Sequence, residues 1–175
     1  MLRSLVGSEM CIRDSTGTYI LATPTDGGMD TDEASGVWFL DNTNAPPAVA
    51  GLDLPTLPAG WAYEGWAVIN NTPISTGTFT SVSGADDSGI FSGDASGPAY
   101  PGEDFLNNAP AGVTFPVNLQ GAPIVISVEP VPDNSAAPFL LKPLVGMTPA
   151  DAATHTALSM GNNATATNPT GTATK

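Results

Sequence analysis

A proline or a glycine interrupts this chain every few residues, and that spacing decides most of what it can fold into. The 175 residues carry 17 prolines and 19 glycines. Proline lacks an amide hydrogen and clashes with the preceding helical turn, while glycine costs backbone entropy in any regular element. Many turns and few long helices follow. Between the breaks, apolar residues recur at period two, the period of a strand. Residues 19–23 stop at Pro24 and residues 36–40 return from the polar turn 26–33, a hairpin with a long loop. Residues 61–70 and 74–82 form a second hairpin across Asn70, Asn71 and Pro73. Residues 124–129 are apolar on both faces at their start, which predicts a central strand. Residues 114–119 and 139–142 are shorter strand candidates, the latter read as the last strand. The expectation is an all-β chain, an antiparallel β-sandwich of about seven or eight strands with Pro/Gly-rich loops and one core. With 41% hydrophobic residues, the chain has enough apolar surface to build that core.

Composition changes at the two ends. Residues 1–15, MLRSLVGSEMCIRDS, hold Arg3, Arg13 and the only cysteine, Cys11. They resemble translated sequencing-adapter read-through at the ends of environmental gene fragments, in which GSEMCIRDS recurs. Leu5, Val6 and Gly7 are too short a run for the apolar stretch of about 7–15 residues in a signal peptide. The expected organisation is a non-native leader at 1–15, a β-sandwich domain at 16–147 and a partly loose C-terminal extension at 148–175. The native N-terminus, with any signal peptide or membrane anchor, is then expected to lie outside this chain. In the extension, Pro149 suggests a helix start and Gly161 its end, while residues 153–160 also alternate as a strand would. Residues 83–112 read as a long polar insertion that Phe91, Tyr100 and Phe105 pin to the body.

Charge excludes several partners. Four basic residues face 17 acidic ones, a formal net charge of −13. Such a surface repels phosphate backbones and anionic lipid heads, which removes nucleic acid and membrane surfaces as partners. Beyond residue 15 only Lys142 and Lys175 are basic. A lysine-poor surface rich in Thr, Ala, Gly and Asn leans toward exported bacterial proteins.

Little catalytic chemistry is legible. His155 is the only histidine, so neither a His-based zinc site nor a Ser-His-Asp arrangement has the residues it needs, and exposure to solvent is its expected state. No G-x-S-x-G, G-x-G-x-x-G or phosphate-loop motif occurs. Carboxylates are plentiful, and a glycosidase needs two of them about 5–9.5 Å apart. Most lie in turns; Glu64 and Glu129 lie on strands, where an outward or edge role is expected because unpaired buried acids are rare. Asp26, Asp30, Asp32 and Glu33 crowd one Gly-containing loop, the best calcium candidate, but their order matches no known ligand pattern and a solvated turn is the preferred reading. No catalytic residue, cofactor or metal site is assigned. Trp38, Trp61 and Trp66 are expected to pack in a core rather than to form a carbohydrate-stacking platform, with Trp66, Phe79 and Ile126 sharing that core.

Residues 51–66, GLDLPTLPAGWAYEGW, resemble the LPxLPxGxxYxxW run of the anti-sigma-K factor C-terminal domain. Residues 73–79, PISTGTF, resemble its P-x-S-x-G-x-F hairpin return, and residues 125–130, VISVEP, resemble its strand ending in Glu-Pro. The matching positions are Tyr63, Trp66, Gly77, Phe79, Glu129 and Pro130, and the three pieces span most of residues 18–145. The resemblance implies an extracytoplasmic β-sandwich in a bacterial cell, membrane-anchored through a preceding helix and contributing to sigma-factor regulation. It implies a non-enzymatic sensor or interaction domain with an unknown protein partner. The chain is also similar to exported, anchored proteins of environmental bacteria that carry the domain without the regulator half. An exported surface binding module, carbohydrate- or calcium-dependent, is the alternative, and a carboxylate-based hydrolase a weaker third.

Overall fold

Turn chemistry and period-two burial produce eleven strands among the described residues. The structure is a computed structural model in which residues 15–44, 46–133 and 135–167 are described. In chain order the strands are β1 (Thr16–Leu21), β2 (Gly36–Trp38), β3 (Leu40–Asp41), β4 (Val49–Ala50), β5 (Leu52–Asp53), β6 (Trp61–Ile69), β7 (Thr72–Phe79), β8 (Gly102–Asp104), β9 (Pro123–Pro130), β10 (Leu144–Met147) and β11 (Leu158–Asn162). Single helical turns at Glu33–Ser35 and Ala164–Thr167 complete the regular structure. All strand pairs are antiparallel. The principal sheet runs β7-β6-β9-β10-β11-β1-β2-β8, with β5 added beside β1; β3 and β4 form a separate ribbon. Asp86 sits against both ends of that path. Its carboxylate accepts the Gly102 amide of β8 at 2.8 Å and lies over Gly77 of β7, where an added Cβ would meet Cγ at 2.7 Å. The sheet is therefore rolled nearly closed, an all-β sandwich-like architecture as the proline and glycine spacing predicts.

Inside the roll, Tyr19, Leu21, Phe39, Tyr63, Phe79, Ile124, Ile126 and Leu144 are buried in one apolar cluster. Strand β9, flanked by β6 and β10, is buried on both faces, as its sequence predicts. The β6–β7 hairpin turns through Asn70 and Asn71, at φ 50° and 64°. Two successive left-handed residues suit the right-handed twist of the strands, and asparagine tolerates that conformation well. Farther down, the pairing shifts between Gly65 and Trp66, leaving Thr76 as the extra residue of a bulge. The insertion at 83–112 is pinned by Phe91 and Phe105, whose rings pack edge-on and tilted against Phe115, and by Tyr100, whose hydroxyl donates to the Ala48 carbonyl at 2.7 Å.

Four expectations need correction. Residues 114–119 are not a strand: the Val117 amide donates to Ser35 Oγ and the Leu119 amide to the Ala34 carbonyl, so a helical turn takes the bonds a strand partner would. Residues 139–142 are not the last strand; Pro143 breaks the run, and β10 begins after it with Leu144 opposite Ile126. The segment from Thr148 is not an appendage. Its residues 158–162 form β11, between β10 and β1, and Thr148 Oγ1 is hydrogen-bonded to the Tyr19 hydroxyl at 3.0 Å. At the other end, Ser15 is buried and its carbonyl accepts the Asn162 side chain, so it belongs with the body; residues 1–14 lie outside the described residues.

Candidate functional site

The positions singled out by the resemblance meet on three adjacent strands. Tyr63 of β6 stands opposite Phe79 of β7 and Val128 of β9, its ring 5.7 Å from that of Phe79. Its hydroxyl donates to the Pro55 carbonyl at 2.7 Å. Gly77 lies opposite Gly65, and Pro130 and Glu129 pair with Trp61 and Ala62. Trp66 is 1% exposed. Among the described residues, however, the apolar cluster holding Phe79 and Ile126 does not include it. Alternation turns Trp66 to the other face of the sheet, where its Nε1 donates to Ser127 Oγ at 2.8 Å. Trp38 is also buried, in a smaller cluster with Ile20, Ala22 and Leu40.

That other face carries acids. Glu64, two residues before Trp66, is 6% exposed, and Glu129, two after Ser127, is 1% exposed. The outward or edge role expected for both is thus overturned: they point away from the main core, but into a covered layer. The half-buried Asp133, in the turn after β9, joins them, and one carboxylate oxygen from each lies within 4.8 Å of the others. Ser75 donates to Glu64 Oε1, and both Ser127 and the Phe139 amide, at 2.8 Å, donate to Glu129 Oε1. The second oxygens, Glu64 Oε2 and Glu129 Oε2, are buried without a hydrogen-bond partner. Burial first, and then the charges of Glu129, Asp133 and Asp87, push Glu64 up to about 7, although the Ser75 hydroxyl opposes this. Such a cluster can share a proton or hold a hard cation through oxygen.

A second acidic network is closed. Asp104 accepts Trp38 Nε1 at 2.6 Å and the Thr25 amide at 2.8 Å; Glu103 accepts the Ser88 and Ser92 hydroxyls; Asp86 accepts the Ser88 and Gly102 amides. Burial raises all three, Asp86 to about 7. Each carboxylate oxygen has a donor, so the network staples the insertion to β2 and to the loop after β1. It borders an open cavity of about 240 Å³ lined by Thr25, Trp38, Asp86, Ser88, Ser92 and Tyr100, among others.

The 26–33 loop is satisfied mainly by its own neighbours. Asp26 Oδ1 accepts the Gly28 and Met29 amides, and Glu33 accepts the Thr23 amide and pairs with His155 Nε2 at 2.8 Å. The His155 side chain is 57% exposed, in keeping with its expected solvent position. Asp26 Oδ2 and Thr76 Oγ1 are also buried without partners, but neither belongs to a group of converging carboxylates among the described residues.

The signals that could have located the cluster are the spacings Glu64-x-Trp66 and Ser127-x-Glu129, which place each acid beside a buried polar or aromatic residue on one face. Nothing in the sequence brings Asp133 to them. No family model, curated protein or solved structure matches this chain.

Proposed function

We propose that this chain is a non-enzymatic extracytoplasmic sensor or interaction domain of the anti-sigma-factor type, which acts by binding a protein partner. The observation that supports this reading is the convergence of the three resembling segments. Stretches 51–66 and 73–79 belong to one hairpin, and 125–130, distant in sequence, lies beside it, so that the three supply the adjacent strands β7, β6 and β9. Within them Tyr63 touches Phe79 and reaches back to Pro55 of the Leu-Pro run. Motif residues that pack on one another behave as one structural signature rather than as three separate coincidences.

Control of a sigma factor would belong to the intact bacterial protein, through a cytoplasmic segment and one membrane helix ahead of the domain. Recovery of the intact gene tests this. The reading expects an upstream helical segment, a membrane span and copurification of a sigma factor with the intact protein. A lipoprotein signal with no sigma-binding segment would replace it with the exported surface module. One observation favours that second reading: the open carboxylates of Glu64 and Glu129 suit a calcium-dependent module. Its carbohydrate branch is weaker, because the rings of Trp38 and Trp66 are buried and the half-buried Trp61 packs against the main core.

A further inference from the structure

We propose that Glu64, Glu129 and Asp133 form a calcium site that ties the turn after β9 to the β6–β9 face. The inference does not rest on the anti-sigma-type reading, and its failure would leave that reading standing.

Charge balance is the first argument. Three carboxylates converge, and their donors, the Ser75 and Ser127 hydroxyls and the Phe139 amide, are all neutral. Lys142 is the only lysine or arginine among the described residues, and its Nζ is bonded to the Phe139 carbonyl at 2.5 Å. Buried like charges without a counter-ion are strongly disfavoured, so the cluster takes up either protons or a cation.

The second argument is the pair of open oxygens. Glu64 and Glu129 are both more than nine-tenths buried, and each has one oxygen fixed by donors and the other, Oε2, without a partner. Hydrogen bonds to Oε1 fix the orientation of each carboxylate, as the supporting shell of a metal site does. One shared proton can serve the two Oε2 atoms, but it leaves net negative charge on the three converging carboxylates, whereas a divalent cation offsets that charge as well.

Donor type and spacing select the ion. Only oxygens are offered, which disfavours zinc and copper and suits calcium or magnesium. Calcium bonds at about 2.3–2.6 Å, so opposite ligands stand about 4.6–5.2 Å apart, whereas magnesium demands a tighter and more regular octahedron. Oxygens within 4.8 Å of one another can share one such ion, and a ligand set without fixed octahedral geometry favours calcium. Two ligands come from adjacent strands of the sheet, the third from a turn that can adjust, and the partly exposed side of Asp133 leaves room for water to complete the shell.

The test uses the full chain at neutral pH, melted in chelator, in calcium and in magnesium, and titrated with terbium while tryptophan is excited. Calcium at a hundred times its dissociation constant raises the melting temperature by about 5–10 °C, and magnesium does much less. Terbium emission appears on binding and is displaced by calcium. Glu64→Gln and Asp133→Asn each weaken calcium binding by an order of magnitude or more, while Asp30→Asn with Asp32→Asn leaves it unchanged. Asp133 lies in a turn and is partly exposed, so Asp133→Asn folds and decides the matter even where Glu64→Gln does not. Coincident melting curves in chelator and in millimolar calcium would overturn the site. So would a calcium shift that survives Asp133→Asn, or one that disappears with Asp30→Asn and Asp32→Asn.

Discussion

Glu64 and Asp86 are carboxyl groups whose surroundings oppose ionisation, and this sets the pH dependence of the molecule. Burial is the largest cause at both, neighbouring acids add to it, and both are pushed up to about 7. Glu103 and Asp104 are raised as well, also chiefly by burial. An acid whose folded pKa lies above its unfolded value holds more protons in the native state than in the unfolded one. Its contribution is therefore fully present below the unfolded pKa, about 4 for a carboxyl, and is lost as pH rises to about 7. In chelator, the melting temperature should fall between pH 5 and pH 8, and Glu64→Gln should make that fall shallower. A melting temperature that rises over this interval would show that the buried acids are ionised and paired. Trp66 allows a separate prediction. Truncating a buried aromatic costs about 3–5 kcal/mol, so Trp66→Ala should lower the urea midpoint sharply, whereas Thr78→Ala, at a half-buried position where it loses one exposed hydrogen bond to Asp87, should do little. Burial of Trp66 is legible from its place in an alternating strand. Burial of Glu64 is not, because alternation separates the two faces of a strand without telling which of them the distant loops will cover.

Hairpin β6–β7 shows how much of an element local sequence can specify. Asn70 and Asn71 announce the turn, and the alternating residues on either side announce the strands. The bulge is less legible, since it depends on what lies across the roll. At Gly65 an added Cβ would stand 2.7 Å from the Phe39 ring and 2.2 Å from Thr76 Oγ1, and Phe39 is distant in sequence. Gly65→Ala should therefore lower the urea midpoint by the equivalent of about 1–3 kcal/mol, the usual cost of overpacking, despite the better strand propensity of alanine. Asn71→Gly keeps the left-handed turn and should change the midpoint little. Equal midpoints for Gly65→Ala and the parent chain would show that the hairpin can shift to make room. The misread segments have the same origin as the bulge. Residues 114–119 have strand-like composition, yet their amides are claimed by Ser35 and Ala34, which tertiary structure brings to them.

At the scale of the molecule, the sheet closes only because the chain returns late to its beginning. The strand that precedes the polar tail, β11, fills the gap between β10 and β1; Met160 stands opposite Gly17 and packs into the main core. The sequence leaves this strand open, since residues 153–160 alternate as a strand would while Pro149 and Gly161 equally frame a helix, and local pattern does not decide between them. Its partners supply the burial instead, through Tyr19, Leu144 and Leu52. A cut after Met147 would remove β11, expose the facing edges of β10 and β1, and take away the Thr148 contact to Tyr19. Open edges of this kind invite pairing between copies. The shortened chain should lose its cooperative urea transition, bind a hydrophobic dye and aggregate. Removing residues 1–14, which the sequence reads as foreign, should by contrast leave the midpoint unchanged, provided that Ser15 is kept. The two deletions answer different questions. A cooperative transition at the parent midpoint after the C-terminal cut would show that β11 is an accessory strand and that the roll stands without it. A lowered midpoint after the N-terminal cut would show that the leader contributes to the native fold.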